Sequence, residues 1–450
     1  MFRDDTIAAI STPPGRGGVG VIRLSGPRAL GIAQTVFQSQ SRAPLSPNRA
    51  QFGRLFDPAT GEQIDEIVLT FFKTPHSYTG EDVVELSCHG SPVVLRRALD
   101  AVVACGARIA EPGEFTFRAF FNRRIDLAQA QAVGDLINAQ TEYQARVASR
   151  QLEGALSQRL APTKQSLIDI IVHLESSLEF VEDDISTEAI SELLKKLNEA
   201  IEDLSHVAAS FSFGRFIREG FDLAIVGRPN VGKSSVFNRL IGSDRAIVTS
   251  LPGTTRDALY ESASIGGVPV RLIDTAGIRE TTDVVETIGI ERSRAAIADA
   301  DITLLVLDAS EPLTIDDSRL LAEVPIERRM LALNKIDLPR KMEALIDAIE
   351  ISALTGSGFD QLTATMLERL SGSVVIERDD VMITDARQHT AIRRAIEKME
   401  EARGLILQGE FEEIILLKLR SALSSLGEVT GETLTEDILN QIFSTFCIGK

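Results

Sequence analysis

Apolar positions along the 450 residues fall into three patterns in succession. In residues 1–118, short β-rich runs at 6–10, 19–24, 67–72 and 83–86 predict strands. Two stretches in the same region, 27–37 and 92–105, have helical spacing, and turn clusters such as Asp57-Pro58-Ala59-Thr60-Gly61 separate the elements. From about residue 119 glycines thin out and apolar residues recur three and four apart, as at Ile168, Ile171, Val172 and Leu178. The same spacing returns after residue 376, at Ile392, Ile396, Met399 and Ala402. Between the two helical stretches lie apolar runs at 221–226, 270–273, 330–333 and 349–351, each followed by a polar or glycine-containing motif.

Those motifs carry the chemistry. Gly227-Arg228-Pro229-Asn230-Val231-Gly232-Lys233-Ser234 sits between a predicted strand and the helical stretch that opens at Ser235, the context a P-loop needs. Glycines let backbone N–H groups close around phosphate oxygens, and the helix N-terminus adds partial positive charge. Lys233 is placed to reach the β- and γ-phosphates, and the Ser234 hydroxyl to bind Mg²⁺. Asp274-Thr275-Ala276-Gly277 brings an acid near that metal and a flexible glycine near the γ-phosphate. In Asn334-Lys335-Ile336-Asp337, the Asp337 carboxylate matches the guanine N1 and exocyclic amine, which adenine cannot supply. Ser352-Ala353-Leu354 offers backbone N–H to the guanine oxygen. In this order, each at the C-terminal end of a predicted strand, the motifs specify GTP. Residues 216–375 resemble a translation-factor-type GTPase. Pro252-Gly253-Thr254-Thr255-Arg256-Asp257 reads as a switch with Thr255 as a second Mg²⁺ ligand. Ile278 stands where Ras-type GTPases carry a water-positioning Gln, so something else must supply catalysis.

The predicted fold class is α/β and α. An N-terminal α+β domain spans 1–118, and a helical bundle domain is made of 119–215 plus 376–450. A Ras-like P-loop GTPase domain is inserted at 216–375, with 213–220 and 371–380 as connectors. There is no internal repeat and no second P-loop, which argues against tandem-GTPase ribosome-assembly factors.

Charge narrows the choice of partners. The formal net charge is −18, and 1–118 is neutral while the remaining three stretches are each acidic. An acidic body disfavours broad phosphate binding, so an RNA partner must be held by a local patch or by a second protein. Cys88, Cys105 and Cys447 show no CxxC spacing and read as reduced thiols. The start Met1-Phe2-Arg3-Asp4-Asp5 and the short apolar runs lead us to expect a cytoplasmic protein with no membrane span. The five histidines are scattered, which makes a metal site built on them an unfavoured reading. Gly15-Arg16-Gly17-Gly18-Val19-Gly20 satisfies GxGxxG, but a β-branched run follows it, so a loop between two strands is expected instead of a dinucleotide turn.

Thr12-Pro13-Pro14-Gly15-Arg16-Gly17-Gly18-Val19-Gly20 at the front and Phe446-Cys447-Ile448-Gly449-Lys450 at the end flank the GTPase. With Gly80-Glu81-Asp82-Val83-Val84-Glu85-Leu86 and Asp126-Leu127-Ala128-Gln129-Ala130, the chain resembles the MnmE (TrmE) family of tRNA-modification GTPases over its whole length. That resemblance implies an N-terminal domain binding 5-formyl- or 5,10-methylene-tetrahydrofolate through Arg23, Glu85, Arg124 and Lys450. Some relatives have Lys in place of Arg124, a different geometry with the same charge. It implies a K⁺ ion held by Asn230 and by the loop residues Thr249, Leu251 and Thr254. Ser250, Pro252 and Gly253 complete that loop around GTP, and Glu286 orients water, although Glu286 also reads as a helix-start acid. Arg256 and Arg279 are further switch residues. It implies a functional thiol at Cys447, which among phenylalanines otherwise reads as a small core hydrophobe. Implied partners are tRNA, a second copy in a homodimer, and the FAD-dependent protein MnmG (GidA) in a heterotetramer. The activity implied is aminomethyl-type modification at C5 of the wobble uridine. A regulatory or ribosome-assembly GTPase switch is the alternative, against which the two terminal motifs argue.

Overall fold

Period-two alternation builds the first sheet. The computed structural model describes residues 5–41, 44–179, 187–243, 263–273, 300–343, 345–372 and 381–449. The chain forms two compact units, Met1–Gly134 with Gly427–Lys450, and Asp135–Leu426. In the first, β1 (Ile7–Ile10), β2 (Gly17–Ser25), β3 (Phe37–Ser39), β4 (Ala50–Phe56), β5 (Gln63–Phe72), β6 (Val83–Gly90) and β7 (Arg108–Ile109) lie in the order β3-β4-β5-β6-β2-β1-β7. All neighbours are antiparallel except β1 and β7. Ile22, Leu24, Leu69, Phe71, Val84 and Leu86 share one face, which packs on Ile32, Val36, Leu95 and Leu99 of helices Ala29–Val36 and Pro92–Ala104. Because side chains alternate along a strand, Arg23 and Glu85 fall on the other face. The β2–β6 register sets them directly opposite each other. The GxGxxG segment is the connection from β1 into β2, with no helix after it.

The C-terminal segment belongs to this same unit. Leu127, Ala130 and Phe443 form a cluster with Phe117, Phe120 and Phe446, bringing helix Glu436–Ser444 against helix Glu114–Phe121. Gly113 has φ +68, and a Cβ there would meet the Phe443 carbonyl and the Phe446 side chain. Glycine is therefore required for this approach. Its N–H donates to the Cys447 carbonyl at 3.3 Å.

The second unit holds a sheet of the opposite kind. Strands β8 (Phe221–Val226), β9 (Ala263–Ile265), β10 (Val268–Leu272), β11 (Ile302–Asp308), β12 (Arg329–Asn334) and β13 (Ala348–Glu350) run in the order β13-β12-β11-β8-β10-β9, parallel apart from β9. β11 is buried along its whole length. Leu304 and Val306 enter one core cluster while Leu305 and Leu307 enter another, as a central parallel strand covered on both faces requires. Outside the sheet, helices Thr187–Ala209 and Ala386–Gln408 pack together, burying Leu193, Leu197 and Leu204 on one and Ile392, Ile396 and Met399 on the other. Helix Glu142–Leu152, started by a Thr141/Gln144 capping box, sends Val147 into the core of the sheet.

Residues 213–220, expected as a connector, are helical for most of their length: helix Phe211–Glu219 links helix Thr187–Ala209 to β8, with Phe213 and Ile217 buried four residues apart. The other expected connector runs from Ser371, the last residue of helix Phe359–Ser371, into residues 373–380, which lie outside the described residues.

Candidate functional site

The P-loop leaves β8 at Gly227 and enters helix Lys233–Ser243. Gly227 and Gly232 have φ +156 and +96, and a Cβ on either would meet the Val306 carbonyl or the Asn334 side chain. The loop is thus pressed onto β11 and β12 at positions only glycine satisfies. Asn230, at the crest, has φ +65. Lys233 Nζ donates to the Gly227 and Arg228 carbonyls, each at 2.8 Å, and burial lowers its pKa. Ser234 and Ser235 open the helix, and Val231 is buried beneath the loop.

Asn334 gathers three motifs. Its Nδ2 donates to the Val231 carbonyl at 2.9 Å, and its Oδ1 accepts from Ala353 N at 3.0 Å. Lys335 (φ +66) donates from Nζ to the Asn230 carbonyl at 2.8 Å and to Asp308 Oδ2 at 2.6 Å. Asp337 Oδ1 accepts from Ser352 Oγ at 2.5 Å, and Leu354 stands exposed beside it in sequence. The P-loop, Asp337 and the Ser352-Ala353-Leu354 turn therefore meet at the C-terminal ends of β8, β12 and β13, where an open α/β sheet binds ligands. Asp308 and Arg228 stand at the same edge, and motif reading left both unassigned. The signal for Asp308 was positional, an acid closing the apolar run Ile302–Asp308 at the same sheet edge.

A second constellation lies on the face of the first sheet turned away from helices Ala29–Val36 and Pro92–Ala104, beside helix Glu114–Phe121. Arg23 Nε donates to Glu85 Oε1 at 2.9 Å, and Nη2 lies 2.8 Å from the same oxygen. Arg23 Nη1 reaches the Gly449 carbonyl at 3.5 Å, so the chain's C-terminal segment ends at this pair. The guanidinium also lies over the Tyr78 and Phe115 rings, at 5.2 and 5.8 Å from their centroids. Tyr78 shares a 2.8 Å hydrogen bond with Thr116, and burial raises its pKa. Arg124 is exposed, its Cγ near the Gly80 backbone.

Beneath this face lies a charge network that sequence reading missed. Arg118, only 2% exposed, donates to Asp5 Oδ1 at 2.6 Å, Glu114 Oε1 at 2.9 Å and Glu81 Oε2 at 3.2 Å. Arg108 bonds Asp5 and Glu114 as well. Burial opposes ionisation of Asp5 and Glu114, but hydrogen bonds from the two arginines outweigh it and hold both carboxyls below their usual range. The lone signal was a basic residue in the apolar stretch Glu114–Phe121.

Cys447 is exposed, which removes the core-hydrophobe reading. Cys88, by contrast, is buried, its thiol pushed up to about 12 by burial and then by Asp65. Thr249, Ser250, Leu251, Pro252, Gly253, Thr254, Thr255, Arg256, Asp274, Thr275, Ala276, Gly277, Ile278, Arg279, Glu286 and Lys450 lie outside the described residues. Among the described residues no helix is long and apolar enough to cross a membrane.

Comparison with known proteins bears on both constellations. A family model described as the GTP-binding protein TrmE N-terminus matches residues 6–124, and one described as the MnmE helical domain matches residues 127–447. The chain is 48% identical to the tRNA modification GTPase MnmE of Koribacter versatilis, covering 100% of both chains. It is 44% identical to the protein of that name from Aquifex aeolicus, over 99% of this chain and 100% of the other. With the Alkaliphilus oremlandii protein the identity is 41%, again over 100% of each.

Proposed function

We propose, from the premise that this chain belongs to the MnmE family of tRNA modification GTPases, that it couples K⁺-dependent GTP hydrolysis to modification of C5 of the tRNA wobble uridine. The added group is of the aminomethyl or carboxymethylaminomethyl type, and a tetrahydrofolate supplies its one-carbon unit. The observation that carries this reading is the contact of Arg23 with both Glu85 and the Gly449 carbonyl. It joins the two ends of the chain in one half-buried charged site, which a switch without small-molecule chemistry does not need.

Each assigned group has a chemical partner among the residues proposed for it. Gly227 and Gly232 let the backbone cradle phosphates, and Lys233 would exchange two neutral carbonyl acceptors for anionic oxygens, a stronger bond. Asp337 reads guanine, while Ser234 and Thr255 would hold Mg²⁺. Asn230, with Thr249, Leu251 and Thr254, would hold K⁺, which supplies positive charge against the phosphates in place of an arginine finger. Glu286 orients the attacking water. In the N-terminal site, Glu85 accepts from the amino-pyrimidine edge of the folate, Tyr78 and the buried Phe115 hold the Arg23 guanidinium beside it, and Arg23, Arg124 and Lys450 meet its carboxylates. Cys447, exposed at this end of the chain, is the thiol that takes part in modification.

In this reading 1–118 is the folate domain, 119–215 plus 376–450 the helical domain, and 216–375 the GTPase domain. The chain acts in the cytoplasm as a homodimer, paired with the FAD-dependent MnmG in a heterotetramer. The test is nucleoside analysis of tRNA from a strain lacking the protein, complemented with wild type or Cys447→Ser. Loss of the modified wobble uridine, restored by wild type alone, is expected. Full modification without the protein overturns the reading, and full rescue by Cys447→Ser removes the thiol from it.

A further inference from the structure

Residues 308–317, which leave the C-terminal end of β11, carry carboxylates that hold both nucleotide motifs from behind. Asp308 is 2% exposed. Its Oδ1 accepts from Ser310 N at 2.9 Å and Ser310 Oγ at 2.6 Å, and its Oδ2 from Lys335 Nζ at 2.6 Å. Burial opposes its ionisation, but the bonds from Lys335 and Ser310 prevail and keep its carboxyl below the usual range. Lys335 Nζ gives a second hydrogen to the Asn230 carbonyl, 2.8 Å away. Two residues earlier in the P-loop, Arg228 bonds Glu311 at 2.5 Å and lies 3.2 Å from Asp317, which is fully buried. Asp317 is itself fixed by Thr314 N and Thr314 Oγ, at 3.0 and 2.7 Å. The loop crest at Asn230 is in left-handed backbone, which a non-glycine residue adopts at some cost. Lys335 grips the crest through the Asn230 carbonyl, the Arg228 side chain ties down the loop two residues earlier, and each cation is anchored by an acid from this segment.

We propose that Asp308 is a positioning residue for GTP binding and for cation-assisted hydrolysis, acting by holding the Lys335 ammonium against the Asn230 carbonyl. The inference rests on the roles given above to Asn230 and Asp337. Lys335 and Asp337 share one turn, closed by Leu338 N donating to the Lys335 carbonyl at 3.0 Å. Fixing Lys335 therefore fixes the base-reading acid relative to the crest of the phosphate loop. Without the anion, the half-exposed ammonium turns to water, and the base loop and the P-loop crest move independently. Asparagine at 308 keeps the shape but replaces a charge-assisted bond with a weaker neutral one.

The experiment measures nucleotide affinity, the K⁺ concentration giving half-maximal hydrolysis, and thermal melting in the full chain. Asp308→Asn should bind GTP and GDP roughly tenfold more weakly, from the loss of one charge-assisted bond. It should need several times more K⁺, by roughly the same argument, while melting as wild type does. Asp308→Glu, which keeps the charge, should recover most of both. In a Lys335→Met background, Asp308→Asn should cause no further loss, because its effect runs through that ammonium. Wild-type affinity and K⁺ response in Asp308→Asn overturn the proposal, as do losses that simply add to those of Lys335→Met. If Asp308→Asn fails to fold, Lys335→Met decides alone, and an unchanged K⁺ half-point overturns the proposal. Equal wild-type rates in K⁺ and Na⁺ would remove the cation reading of the parent function, and the affinity cycle would still decide Asp308.

Discussion

Among the described residues of the second unit, the candidate nucleotide-binding groups sit at or just beyond the ends of parallel strands, on segments of consecutive residues: 227–234 after β8, 308–317 from the end of β11, 335–338 after β12 and 352–354 after β13. In the antiparallel sheet of the first unit, the Arg23–Glu85 pair lies mid-strand on a partly covered face, joined by register across 62 residues of sequence. The parallel sheet is covered on both sides, so its chemistry moves to its edge. The antiparallel sheet packs its main core on one face, while on the other helix Glu114–Phe121 covers Ile7 and Ala9 of β1 and leaves the Arg23–Glu85 pair part-exposed. Loops can change without moving strands, whereas a one-residue slip between β2 and β6 would turn Arg23 or Glu85 into the apolar core.

The strongest test of that difference strikes the charge network beneath the Arg23–Glu85 face. Arg118→Met takes the arginine from Glu81 and leaves Asp5 and Glu114 to Arg108 alone, which should destabilise the first unit by about 3 kcal/mol. Hydrogen exchange should show the loss in residues 5–134, with GTP affinity unchanged. Loss of GTP binding alongside would mean that the two units do not fail separately.

Next in size is Asp337→Asn, which removes two charge-assisted bonds to guanine and should weaken GTP about 10²-fold. Xanthosine triphosphate should gain, because its 2-oxo group accepts from the new amide. Calorimetry giving wild-type GTP affinity would refute the motif assignment. Deleting residues 447–450 removes the segment at Arg23 and should weaken tetrahydrofolate binding roughly tenfold or more, the scale of one or two charge-assisted contacts, while GTP hydrolysis continues. Full folate affinity in the truncated chain would separate the C-terminal segment from the Arg23–Glu85 pair.

The smallest effect is one of pH. Asp5 and Glu114 have carboxyls held below their usual range, so their contribution is fully present above a pH of about 4–5 and is lost as pH falls through their lower folded values. Thermal stability of the first unit should decline below that point, and Arg118→Met should flatten the decline. An identical acid profile in wild type and variant would show that other carboxylates govern it.

This contrast also explains what the sequence made legible. The P-loop, Asn334-Lys335-Ile336-Asp337 and Ser352-Ala353-Leu354 are contiguous, and their strands are unbroken apolar runs, so local reading found them. The Arg23–Glu85 site depends on register, and only the family resemblance pointed to it. Arg118 gave almost no signal, because one arginine in an apolar helix looks the same whether it is buried or exposed. Two-residue β7 and three-residue β3 were too short to show a period. The helical form of the connector at 211–219 was not legible, because Gly214 interrupts its apolar pattern. The glycine is there for a tertiary reason, since a Cβ would strike the Ile383 carbonyl.

That contact between Gly214 and Ile383 marks where the chain enters and leaves the GTPase fold, and Ser210 Oγ, accepting from Ile383 N at 3.1 Å, fastens the two crossings together. While the inserted module is folded, its ends are already side by side, and the helices around it bridge only a short gap. Were the module to unfold alone, those helices would have to pin both ends of a free loop of roughly 170 residues, whose closure entropy is about 4–5 kcal/mol. Helices and module therefore share part of their stability through chain entropy alone. A nucleotide that binds only the folded module makes the helices beyond the neck harder to melt, with no contact between them and the ligand.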